Sequence, residues 1–137
     1  GYNIIYAWED LKEIARDNLD AARSRLIHML CNYQGVRRCE VILVFDAYKV
    51  KGNPGTVERF HNINVVYTKE AETADMYIEK VTHQIGKKHR VRVATSDGLE
   101  QLIIFGQGAL RVSAKSFREE VDMVEKEIRE FLDSQQQ

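Results

Sequence analysis

The 137 residues carry 20 Lys plus Arg against 21 Asp plus Glu, a formal net charge of −1. A chain of this length fits one domain able to bury a sizeable core without disulfides or a structural metal. Near-neutrality excludes a global field that draws the protein to nucleic acid or membrane, so any such binding must come from a local patch.

The first five residues, GYNII, read as a turn leaving a strand, and a strand is therefore expected before Gly1. Residues 9–33 place Leu11, Ile14, Ala15, Leu19, Ala22, Leu26, Ile27, Met29 and Leu30 at helical spacing. A break near Asp17 and Asn18 suits the cap of a second helix. Five apolar residues at 41–45 then end abruptly on Asp46, the mark of a strand buried on both faces, as in a parallel sheet. Residues 49–55 hold the single proline and two glycines and read as a loop.

A short helix is expected before a strand at 63–68. The next helix places Ala74, Tyr77, Ile78, Val81 and Ile85 on one face. Residues 90–97 predict a strand ending in a polar turn, followed by a short helix stopped at Gly106. A last short strand leads into an amphipathic helix over 116–132. Alternation of strands and helices predicts one α/β domain over 1–137 with a mainly parallel sheet and helices on both faces.

Cys31 and Cys39 lack C-x-x-C spacing and a histidine placed for zinc, which predicts reduced thiols. No apolar run approaches the ~20 residues of a membrane span, and no signal-peptide pattern is present. These features predict a cytoplasmic protein without a membrane partner.

Ligands of such sheets bind beyond the carboxyl ends of the strands. Asp46 and Asp97 each follow a predicted strand, and Glu72 and Asp75 lie three apart where a helix begins beyond a third. Each acid has a plain structural explanation: carboxylates complement a helix N-terminus and cap turns. Together, however, they repel one another unless a divalent cation neutralises them, and an oxygen-rich, His-poor set suits Mg2+ or Mn2+. Such a site fits phosphodiester hydrolysis. Ser96 is either a turn cap or a donor to carboxylate or phosphate. Lys49 and Lys51 could follow a phosphate backbone, and Tyr48 could stack on an unpaired base. Arg111 and Lys115, with Arg118, form a second basic group near a strand end, whereas Lys87, Lys88, His89, Arg90 and Arg92 read as a solvated turn. The segment GQGALR lacks the lysine and spacing of a P-loop.

In order, GYNIIYAW, VFDAYKVKG, YTKEAETAD, VATSD and FGQGALRVSA resemble the YacP-like branch of the NYN domains, a PIN-like nuclease group, over essentially the whole chain. The resemblance implies a PIN-like, Rossmann-like three-layer sandwich and a metal-dependent endoribonuclease acting on single-stranded RNA, with messenger RNA on the ribosome as target and no role for DNA. It also implies an Asp immediately before Gly1, at the end of a central first strand absent from this sequence. The family positions map onto Asn3, Asp46, Glu72, Asp75 and Asp97, with Ser96 as helper; Asp75, Asp97 and Glu72 are the expected metal ligands. A non-cleaving RNA- or ribosome-binding module is the alternative. A small-molecule phosphohydrolase would need a D-x-D nucleophile that nothing here supplies.

Overall fold

The computed structural model describes residues 1–46, 55–86, 88–96 and 109–135. Three helices come first: α1 (Tyr2–Ala7), α2 (Glu9–Asp17) and α3 (Leu19–Arg37). The turn expected over the first residues is instead a helix start. The Ile5 amide donates to the Gly1 carbonyl at 3.0 Å, so Gly1 is the N-cap of α1. The break between α2 and α3 falls at the expected position: Asn18 accepts from the Ala21 amide at 3.1 Å and caps α3.

Strand β1 (Ile42–Phe45) pairs in parallel with β3 (Ile63–Tyr67), and β2 (Thr56–Phe60) pairs antiparallel with β3 on its other side. The helix expected before β3 is therefore a strand. The ladder wins over local preference because His61 adopts a left-handed φ of 49° in the tight connection and the Asn62 amide is anchored on α3. Asn62 Nδ2 donates to the Cys31 carbonyl at 3.0 Å and to Gln34 Oε1 at 2.6 Å. Gly55, at φ 73°, enters β2 in a conformation that side chains disfavour.

Helix α4 (Ala74–Ile85) follows, then β4 (Arg92–Thr95), β5 (Leu110–Ser113) and α5 (Ala114–Gln135). Strands β4 and β5 form a separate parallel pair. The single, mainly parallel sheet of the expectation is thus two ladders among the described residues, one of them mixed. The helix expected around residues 98–106 lies outside the described residues.

Strand alternation sends Leu43, Phe45, Val65 and Tyr67 into the principal core with α1, α2, α3 and α5. Val44 and Val66, also buried, fall on the opposite face, and α4 lies against β1. Phe45 is fully buried, its ring 5.0 Å from that of Tyr2 and stacked 5.7 Å from that of Tyr67. Trp8 ties the helices together: its Nε1 donates to the Ala114 carbonyl at 2.8 Å, and the Arg118 guanidinium lies 4.9 Å from its ring centre. Among the described residues, no helix is long and apolar enough to cross a membrane.

Candidate functional site

β1 runs out at Phe45, and the next carboxylate turns towards the start of α4. Asp46 Oδ1 accepts from the Ala74 amide at 2.6 Å, satisfying one of the free N–H groups of that helix N-terminus. Thr73 caps the same helix by accepting from the Met76 amide at 3.1 Å, and Asp75 stands in the first turn. Thr68, the buried residue after β3, donates its hydroxyl to the Glu72 carbonyl at 2.7 Å and fixes the approach to the helix. The ends of β1 and β3 and the beginning of α4 thus bring Asp46, Glu72 and Asp75 into one region.

The acids do not stand alike. Glu72 is paired with Lys80, Oε2 to Nζ 3.2 Å, and its side chain is only 18% exposed. Nothing in the sequence pattern points to Lys80; one turn beyond Met76 on α4, it balances the Glu72 charge. Asp46 uses one oxygen on the helix and keeps a second.

A second group forms where α1 meets the end of β4. Asn3 Nδ2 donates to Thr95 Oγ1 at 3.1 Å, and the Ser96 hydroxyl donates to the Asn3 carbonyl at 3.4 Å. Asn3 Oδ1 is buried and has no hydrogen-bond partner; among the described residues, only Asn62 Oδ1, in the β2–β3 turn, shares that state. An orphaned carbonyl-type oxygen is costly to bury and suits a ligand-facing role. The two groups are joined through α1. The Gly1 nitrogen donates to the Val44 carbonyl at 2.6 Å, and Tyr2 packs on Phe45. A Cβ on Gly1 would overlap the Phe45 ring, so this close approach requires glycine. Burial pushes the Tyr2 phenol above its ordinary 10.0, against the pull of Arg23, whose Nη1 donates to the Tyr2 hydroxyl at 3.1 Å; Asp46 is near enough to push it further up.

Of the remaining expected residues, Arg111 reaches the Thr95 carbonyl at 3.5 Å and so lies at the Asn3 end of the site. Lys115 and Ser96 line an open groove of about 800 Å³ with Trp8, Ser113 and Ala114. Arg118, grouped with them by sequence, is occupied: it makes a fork with Asp10 at 2.8 and 3.0 Å and reaches Asp122 at 2.9 Å. Glu9, Asp10, Glu119 and Asp122 outnumber Lys115 and Arg118 along the groove. The Arg92 guanidinium, expected on a solvated turn, is paired with Glu120 at 2.6 Å. Asp97, Tyr48, Lys49 and Lys51 lie outside the described residues. Among the described residues, no three His, Cys, Asp or Glu side chains converge tightly enough for an all-side-chain metal site. Cys31 is half-buried and Cys39 exposed, and neither is in a disulfide.

Fold and site together define an α/β protein whose acids and amide oxygen gather at the carboxyl ends of its strands. The family model for the YacP-like NYN domain matches residues 1–137. The chain belongs to that family, whose nuclease-like domains imply RNA binding and generally use divalent metals. It is 43% identical over 129 residues to the uncharacterized protein YacP of Bacillus subtilis (strain 168), spanning 93% of this chain and 75% of that protein. The crystal structure of Rae1 (YacP) from Bacillus subtilis matches at a TM-score of 0.83 with 38% identity, covering 97% of this chain and 76% of that one. A mutant form of Rae1 (YacP) matches at the same TM-score with 40% identity, over 95% and 76% of the two chains.

Proposed function

We propose that this protein is a metal-dependent endoribonuclease cutting single-stranded RNA, built on a PIN-like three-layer sandwich. The observation that carries the reading is the junction of β1 with α4. Asp46 is locked onto the helix start beside Asp75, while the Asn3 amide oxygen, one helix away, is left without a partner.

The donor chemistry fits Mg2+ or Mn2+: it is all oxygen, with carboxylates and an amide carbonyl and no histidine or thiol. Asp75, the free oxygen of Asp46, and Asn3 Oδ1 would hold such an ion, with Asp97 as the fourth donor. When bound, the ion would acidify a water and offset phosphate charge. Glu72, already neutralised by Lys80, suits a different role. Held within hydrogen-bond reach of a water, its carboxylate would orient that water and accept its proton, leaving the Glu72–Lys80 pair with one net positive charge. Ser96 and Arg111, at the β4 end, would donate to a phosphate oxygen, and Lys115 would follow the backbone. Tyr48, Lys49 and Lys51, which follow Asp46 in the sequence, would supply a stacking ring and two cations to the RNA.

Messenger RNA in association with the ribosome, in the cytoplasm, is the proposed target, supported by the family resemblance. Asp75→Asn in the full chain should abolish cutting of single-stranded RNA in Mg2+ or Mn2+ and leave the circular dichroism spectrum unchanged. A variant that cuts normally refutes the site. Equal rates on naked and translated message would remove the ribosome from the proposal. The alternative, a non-cleaving binding module, is disfavoured because a pure RNA binder gains nothing from carboxylates turned towards phosphates.

A further inference from the structure

Helices α3 and α5 pack side by side, and most of their arginines are matched with acids. Arg23 pairs with Asp20, Arg37 with Glu127, and Arg118 with Asp10 and Asp122; Arg92 on β4 pairs with Glu120. Arg25 and Arg129 break this pattern. Both line one cleft of about 270 Å³ between the two helices, with Asn32, Glu125 and Ile128. Among the described residues neither makes an ion pair or a side-chain hydrogen bond, even with Glu125 in the same cleft. Arg25 and Asn32 are seven apart on α3, hence on one face, and present a guanidinium fork and an amide to the same space.

Two exposed guanidinium groups at one cleft repel each other unless an anion lies between them. Planar forks also match phosphate oxygens better than any other side chain does. Ile128 gives the cleft an apolar floor, and the single carboxylate leaves it net positive. Arg129 lies fifteen residues along α5 from Ala114, which lines the groove at Ser96, so the cleft is about 22 Å from that end of the candidate site at about 1.5 Å per residue.

We propose that the Arg25–Arg129 cleft is a secondary RNA-docking site that grips a backbone phosphate of a strand whose other end lies at the strand-end acids. This rests on the reading that the chain binds RNA, but not on its cutting RNA. The cleft would favour long single strands over short ones, which reach only one of the two places.

The test measures fluorescence anisotropy of a labelled single-stranded RNA with the full chain carrying Asp75→Asn, over a range of salt concentrations. Adding Arg25→Gln and Arg129→Gln should weaken binding roughly tenfold. It should also lower the slope of log K against log salt by about 0.7, the value for one single-strand phosphate no longer neutralised. Arg25→Lys with Arg129→Lys should restore the slope, because charge is kept, and thermal melts of every variant should coincide. An unchanged slope in the glutamine variant overturns the docking site while RNA binding stands. Failure of the parent chain to bind RNA at all overturns both.

Discussion

Asp46 caps α4 and, on the proposed reading, also holds the metal, and the two jobs can be separated. Its Oδ1 accepts from the Ala74 amide at 2.6 Å in a partly buried setting, at the positive end of α4. A hydrogen bond to a charged acceptor is worth about 1.5–3 kcal/mol, and a carboxylate at a helix N-terminus adds about 0.3–1 kcal/mol. Asp46→Ala removes both and leaves the Ala74 N–H without its partner, so the loss should be about 2–3 kcal/mol. Asp46→Asn keeps an oxygen acceptor in place and loses only the charge, about 1 kcal/mol. With melting temperature moving by about 4 °C per kcal/mol in a domain of this size, alanine should lower it by roughly 10 °C and asparagine by roughly 4 °C. Cleavage should follow charge instead of stability: both variants should fall by about two orders of magnitude or more on single-stranded RNA in Mg2+. The measurements are urea and thermal melts by circular dichroism alongside single-turnover cleavage. If asparagine cuts at the parental rate, Asp46 is only a helix cap. If alanine is as stable as the parent, the bond to Ala74 contributes nothing.

Gly1→Ala should destabilise by about 1–3 kcal/mol, the usual penalty of overpacking, because the added methyl meets the fully buried Phe45 ring; an unshifted denaturation midpoint would show that the ring yields freely. Asn3→Ala loses the bond to Thr95 but also removes the orphaned Oδ1, so stability should change by less than about 1 kcal/mol while cleavage drops; a large loss of stability with full activity would assign Asn3 to structure alone. The Arg118 fork holds Asp10 below its ordinary 3.8, and the Arg92 guanidinium holds Glu120 below 4.5. Folded-state values below the unfolded ones mean that this stability is fully present above about pH 4.5 and is lost as pH falls through the depressed values. Both pairs are partly solvated, so each should contribute under about 1 kcal/mol, and the acid limb should flatten in Asp10→Asn with Glu120→Gln; an unaltered limb would exclude these pairs.

Much of this organisation is legible in the sequence because hydrophobic period and capping residues are local signals. The break at Asn18, the abrupt end of a strand at Asp46 and the acid of the α4 first turn all follow from residues near one another. What the sequence could not show depends on pairing over distance. Residues 56–60 alternate weakly and carry two charges, and their strand exists because β3 lies beside them and Asn62 is tied to α3. Gly1 reads as a turn glycine, but its role is set by the Phe45 ring 44 positions away. The neutralisation of Glu72 by Lys80 and of Arg118 by Asp10 is likewise invisible in composition, which counts charges without saying which are already matched.

That matching changes how the site should be understood. Carboxylates gathered at the end of a sheet repel both one another and an RNA backbone, and each part of that repulsion is answered differently here. The amide of a helix start takes up Asp46, a lysine within the same helix balances Glu72, and the dipole of α4 favours Asp75. None of these partners occupies the second oxygen of Asp46 or the side-chain amide oxygen of Asn3, so on the proposed reading the fold leaves these two donors available to a cation. The basic residues divide in the same way. Arg23, Arg37, Arg92 and Arg118 join elements of the fold through acids, whereas Arg25 and Arg129 are left to face outward. On the two proposals made above, a near-neutral chain presents local sites of both signs: oxygen donors for a cation at the strand ends, and guanidinium groups for phosphate between α3 and α5.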